Sequence, residues 1–123
     1  MKASEIILQD SERNGVDGQQ LLNGIASQIK NNQAAIIHKN NSVLTMSHIG
    51  SQPRSFALHL FTLDSPLTLA KSLTSFVKTI RQMEGVQSVY GDTDNKQLLD
   101  LLRHLGVDVL ESNLEGYTWM AKV

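Results

Sequence analysis

The chain has 123 residues, 41% of them hydrophobic and 19% charged, and its eleven basic side chains stand against twelve acidic ones for a net charge of -1. That length and balance describe one globular domain with a single core, and they exclude several classes of function. No run of Lys and Arg is present to neutralise a row of phosphates, no apolar stretch approaches the roughly 20 residues of a membrane span, and no cysteine is available for a disulfide, a thiolate nucleophile or a zinc-thiolate site.

At the start, Met1 to Asp10 has one Lys and a short apolar patch at Ile6 to Leu8, not the apolar core and cleavage site of a signal peptide, so the expected compartment is the cytoplasm. The first well-specified element begins at Asp17, which caps a helix with Gln20 as its capping-box partner and Leu21, Leu22, Ile25 and Ile29 as its apolar face. Past Asn31 and Asn32 the pattern turns to strand: Ala34 to His38, the turn Asn40-Asn41, then Val43 to Ile49, which together read as a hairpin. A second turn at Gly50 to Pro53 leads into a third strand over 56 to 63. Phe56, Leu58 and Leu60 alternate there with Ala57, Phe61 and Leu63, so both sides are apolar and the strand belongs in the middle of a sheet covered on both faces.

Ser65 is placed to cap the next helix, with Pro66 at its first position, where a missing N–H costs nothing. Leu69, Leu73, Phe76, Val77, Ile80 and Met83 then recur at helical spacing up to Gly85. Val86 to Tyr90 is a short strand. Asp94 with Gln97 reads as a capping box for a helix through Leu98, Leu101, Leu102 and Leu105, closed by Gly106. Val107 to Glu111 and Tyr117 to Val123, joined by a turn over 113 to 116, complete a closing hairpin. Tyr117 and Trp119 read first as core residues of that hairpin, with a cleft or a partner surface as the other reading, and Trp119 with Met120 gives the last strand a face suited to pairing in a homodimer.

The order helix, three antiparallel strands, helix, strand, helix, two closing strands resembles the acyl-CoA N-acyltransferase (GNAT) superfamily. The spacing of Asn95, Leu98, Leu102 and Gly106 is similar to that family's N-x-x-A-x-x-x-Y-x-x-x-G segment, with Leu98 and Leu102 where the family has Ala and Tyr. The resemblance covers about residues 17 to 123 and implies an α/β (α+β) fold: one domain with a mixed, mostly antiparallel sheet, a parallel central strand pair and helices on both faces. It implies acetyl-CoA as cofactor, held where the parallel strands part, at Phe61, Leu63, Ser65 and Asn95. The family's Arg/Gln-x-x-Gly-x-Gly/Ala loop, which cradles the pyrophosphate, is replaced by Leu63-Asp64-Ser65-Pro66-Leu67-Thr68, in which Pro66 lacks a donor and Asp64 brings a negative charge. That combination is similar to small acetyltransferase-like proteins of tailed phages.

Among titratable groups, His59 in the central strand and Asp64 at its end are the candidate catalytic residues. The plain readings beside them are a structural strand histidine and a helix-start aspartate. His38, His48 and His104 read as surface groups, and no set of His and carboxylates has metal-ligand spacing. Two functions of different class follow: an acetyl-CoA-dependent N-acetyltransferase acting on a small-molecule or protein amine, or a catalytically silent accessory or virion-associated protein that meets a phage or host protein, in host cytoplasm or virion. A ligand-binding module without chemistry is a third.

Overall fold

The computed structural model describes residues 1–123, which form α1 (Ala3–Arg13), α2 (Gly18–Lys30), β1 (Ala34–Lys39), β2 (Ser42–His48), β3 (Ser55–Thr62), α3 (Pro66–Arg81), β4 (Ser88–Gly91), α4 (Lys96–His104), β5 (Leu110–Glu111) and β6 (Trp119–Lys122). The strands make one sheet in the order β1-β2-β3-β4-β6-β5. Every neighbouring pair is antiparallel except β3 and β4, which run parallel and are joined through α3. This is the mixed sheet with a parallel central pair expected from the chain.

Strand alternation divides the residues between two cores. Val43 and Phe61 oppose each other and join Ile6 and Ile7 of α1, with Leu21, Leu22 and Ile25 of α2 packed around them. One register step along, Leu44 opposes Leu60, and these face α3 and α4, where Leu73, Phe76 and Leu102 complete the larger cluster. Helices therefore cover both faces, and β3, third of six strands, is sandwiched between them.

The first helix, α1, has no counterpart in the sequence reading. Its inward stripe runs Ala3, Ile6, Ile7, Asp10, Ser11, a regular helical spacing whose last two places are polar, so the apolar pattern stops halfway. Other signals hold with small shifts. Asp17 Oδ1 accepts from the Gln20 N–H at 3.1 Å, and the hairpin turn sits at Asn40, whose φ of 52° is one that Asn tolerates. The cap of α4 is Asn95 and not Asp94: its Oδ1 accepts from the Leu98 N–H at 3.2 Å. Gly106, with φ 87°, closes α4 as expected; its N–H reaches Arg103 O while Val107 N–H reaches Leu102 O, both at 3.0 Å. Ser65 stands at the N-cap of α3 without capping a backbone N–H, its hydroxyl donating instead to Thr68 Oγ1. The expected dimer strand is corrected: β6 lies inside the sheet, with β4 along one edge and β5 covering Trp119 and Met120 along the other, and both side chains are buried.

Candidate functional site

The parallel pairing of β3 with β4 lasts three residues, Ser55 with Ser88, Phe56 with Val89 and Ala57 with Tyr90. β3 then continues to Thr62 while β4 ends at Gly91, so the two strands part. Hydrogen bonds from Leu63 N–H to Asn41 O and from Ile49 N–H to Ser55 O bracket the β2–β3 ladder and place the odd-numbered residues of β3 in bonded pairs with β2. By alternation, Leu58, Leu60 and Thr62 turn their N–H and C=O groups to the other edge; the Leu58 N–H closes the last bridge to Tyr90, and beyond it no strand faces the Leu58 C=O, Leu60 or Thr62.

A cavity of about 470 Å³ opens at this split. Leu69, Leu73, Phe76 and Ile80 of α3 form one wall, Leu98, Leu101 and Leu102 of α4 another, and Leu44, Leu58, Leu60 and Trp119 the sheet side. Polar side chains collect at one end, where β3 and β4 finish: Thr62, Asp64, Asp92, Thr93, Asn95 and Gln97. The rim segment after β4 is fastened to the sheet. Thr118 Oγ1 donates to Thr93 O at 2.9 Å and accepts from Thr93 N–H at 3.0 Å, and Asn95 N–H donates to Thr93 Oγ1 at 3.1 Å. Gly91 permits this closure, because a Cβ there would lie 2.2 Å from the Trp119 indole nitrogen.

Of the residues singled out by sequence, His59, Asp64 and Asn95 reach this cavity; Phe61, Leu63 and Ser65 do not line it. The reason for Phe61 and Leu63 is parity: their backbone groups serve β2 and their side chains pack on the α1 side, Phe61 at 1% exposure. The neighbours one step away, Leu58, Leu60 and Thr62, hold the positions assigned to them. Asp64 is a fastener. Its carboxylate accepts from Asn41 N–H at 3.1 Å, Ser42 Oγ at 2.6 Å and Ser72 Oγ at 3.1 Å, tying the β1–β2 turn, the end of β3 and α3 together. Both serines are fully buried.

His59 belongs to the opposite face of β3, where its ring stacks on Phe61 with centroids 4.4 Å apart. Although its side chain stays exposed, partial desolvation lowers its pKa below the ordinary 6.5, against an opposing pull from Asp10 and then Asp92. That direction favours the uncharged ring, which stands two residues beyond the last paired position of β3. Asp10, on α1, has its pKa raised by burial, with Arg13 and His59 pulling it down. Sequence patterning missed Asp10 because nothing marked α1, and Asp92 because its role depends on where β4 ends.

The signs of these shifts give a test. His59 binds its proton less tightly when folded, so its contribution to stability is lost as pH falls from 6.5 through its lowered midpoint. Asp10, raised above 3.8, acts oppositely: its contribution is present at low pH and is lost as pH rises through its raised midpoint. An NMR titration of the ring should place the His59 midpoint below 6.5, and Asp10→Asn should lower it further by removing the first attractive charge. An unchanged or higher midpoint in Asp10→Asn would show that the two groups do not interact.

No family model and no curated protein matches the sequence. Solved structures do share its architecture. The N-acetyltransferase PseH of Campylobacter jejuni, in complex with acetyl coenzyme A, is 11% identical with a TM-score of 0.62 over 100% of this chain and 92% of its own. RimL, a ribosomal-protein alpha-N-acetyltransferase in complex with coenzyme A, is 13% identical with a TM-score of 0.57 over 86% of this chain and 70% of its own. A chimera of the spermidine N-acetyltransferase SpeG from Vibrio cholerae is 9% identical with a TM-score of 0.60 over 99% and 90%. The fold of this chain is the GNAT fold.

Proposed function

We propose that this chain is an N-acyltransferase that takes an acyl group from a coenzyme A thioester and delivers it to an amine. The observation that carries the reading is the parting of β3 and β4 above an open cavity, in a fold shared with proteins solved in complex with coenzyme A or acetyl coenzyme A. The Leu58 C=O and the N–H and C=O of Leu60, beyond the last β3–β4 bridge, suit the amides of a pantetheine arm, which pair with a strand edge as another strand would. Fit at the pyrophosphate end is thinner. Pro66 removes one donor from the first turn of α3, leaving Leu67 and Thr68 to present theirs, and the Asp64 carboxylate is turned into its serine contacts.

The donor supplies an activated acyl carbon. As a new C–N bond forms there and the C–S bond breaks, the amine must lose a proton. His59, whose lowered pKa favours the uncharged ring and which lies on the far face of the split from α3 and α4, is the group of this chain placed to accept it. Leu102 stands where the resembled motif carries a tyrosine, so the departing sulfur takes its proton from solvent and positioning carries the rate. The acceptor is an amine of the kind that spermidine or a protein N-terminus presents, as the names of SpeG and RimL indicate for those enzymes.

Native mass spectrometry with acetyl-CoA, followed by a thiol-release assay with spermidine and with N-terminal peptides, tests the reading. A bound cofactor mass and thiol release that falls in His59→Ala are expected. Binding without release, or no binding at all, would favour the second reading, a GNAT-fold accessory protein without transfer chemistry. That reading rests on Pro66 at the first position of α3 and on Leu102 buried in the core.

A further inference from the structure

The sheet ends differently at its two edges. β5, on one side, is two residues long and carries Glu111, a short charged edge of the kind that discourages pairing with another chain. β1, on the other, runs for six residues, Ala34 to Lys39, with no proline and with its one permanent charge, Lys39, held back to the last position. The bond from His48 N–H to Gln33 O makes those two a bonded pair, so Ala35, Ile37 and Lys39 spend their backbone groups on β2. Ala34, Ile36 and His38 therefore turn theirs outward, three donors and three acceptors along an edge that no strand of this chain covers. The helical layer stops at the same line. α2 packs chiefly on β1, whereas α1 packs on β2 and β3, so nothing lies beyond α2 on that side. Its apolar residues Leu21, Leu22 and Ile25 are only half-buried, and Ile29 in its last turn is 38% exposed. Ile36 stands on the same face, since its partner Thr45 is two places from Val43, and is 40% exposed.

We infer that this edge is covered by a second copy of the chain, with β1 antiparallel to its own counterpart about a two-fold axis at Ile36, so that the protein is a homodimer joined through β1 and not β6. In that register Ile36 exchanges both of its backbone bonds with its counterpart, and Ala34 pairs with the counterpart of His38, so six hydrogen bonds close and no outward group is left over. A small side chain then meets a large one at both outer crossings. Lys39 falls opposite Gln33, about 20 Å along the seam from its own counterpart, whereas a parallel arrangement would set the two lysines face to face. A two-fold perpendicular to the sheet also keeps α2 and its counterpart on one face, flanking the seam, where they cover the two Ile36 side chains. A lone strand from another protein would satisfy the backbone groups and leave the flank of α2 bare; a second copy brings a matching helix. The β3–β4 split lies two strands inward and stays open, so the pairing is independent of the transfer reading.

Sedimentation equilibrium of the whole protein, from about 1 to about 200 µM, should show the mass passing from one chain to two. Ile36→Lys sets two like charges opposite each other at the centre of the seam, and Ile36→Pro removes an N–H that β2 does not use. Each should weaken the dimer roughly 100-fold or more while leaving the urea midpoint of the dilute monomer at the wild-type value. Because the chain has no cysteine, single substitutions report the register. Ile36→Cys brings two thiols onto Cα atoms about 5.5 Å apart and should cross-link under copper–phenanthroline oxidation, whereas Ala34→Cys leaves them about 14 Å apart and should not. A single-chain mass across the whole range overturns the inference and leaves the edge to a strand of another protein. A dimer that Ile36→Lys leaves intact overturns it as well, and so does one in which Ala34→Cys cross-links as fast as Ile36→Cys. Should Ile36→Pro fail to fold, Ile36→Lys and the two cysteine variants decide.

Discussion

Phe61→Ala is expected to destabilise the fold by about 3–5 kcal/mol, lowering the urea midpoint by roughly 2 M. The side chain is 1% exposed, and its cluster with Ile6, Ile7 and Val43 is the apolar contact between α1 and the sheet. Truncation removes a ring from the centre of that contact and leaves a cavity that α1, packed on α2 as well as on the sheet, cannot close without shifting. Two readouts separate this role from the cofactor contact that sequence alone proposes for Phe61. Limited proteolysis should cut first within residues 1–17 of the variant, and binding of acyl-CoA measured below the unfolding transition should change little. A loss of cofactor affinity with an unchanged urea midpoint would restore the cofactor assignment and contradict the packing.

The contrast between Phe61 and Leu60 shows where legibility in the sequence ends. Alternation in 56 to 63 places the strand in mid-sheet, and the Pro66 helix with the strand after it brings a parallel partner alongside; both features are local and both are found. Which parity faces the cavity is not local. With Leu58 and Leu60 on one side and Phe61 and Leu63 on the other, the two faces are equally apolar, and the choice follows from the register with β2 and from which helices pack where. Asp94 and Asn95 make the same point at smaller scale. Either can cap a helix, and the bond from Asn95 N–H to Thr93 Oγ1, with Thr93 held by Thr118, selects the second. α1 was hidden because its inward face ends in Asp10 and Ser11; Asp10 lies near His59 and the Ser11 hydroxyl is buried without a partner in the protein. Departures from binary pattern of this kind gather near functional positions, where local rules yield to other demands.

Asp64 is the residue whose meaning the structure changes most. As a bare negative charge before a helix that should greet a pyrophosphate, its removal ought to strengthen anion binding, and more so at low salt. The hydrogen bonds reorder the effects. Asp64→Ala takes the shared acceptor from Ser42 and Ser72, both fully buried, and from the Asn41 N–H, which also loosens the turn that positions β1 against β2. Charge-assisted bonds contribute roughly 1.5–3 kcal/mol each but not additively, and the two hydroxyls keep secondary partners in Thr62 Oγ1 and Thr68 O, so the expected net loss is about 3 kcal/mol. Asp64→Asn keeps one acceptor oxygen and should lose about half as much. Urea unfolding at low and at 1 M salt separates the two physical accounts. Short bonds to buried hydroxyls persist at high salt, whereas a repulsion felt through solvent is screened there over about 3 Å. A stability loss that survives 1 M salt identifies the carboxylate as the fastener of the β1–β2 turn to α3. A loss below 0.5 kcal/mol, on the order of an ordinary surface substitution, would mean that the carboxylate faces the cavity as a free charge, and the low-salt gain in anion binding would then become its main effect.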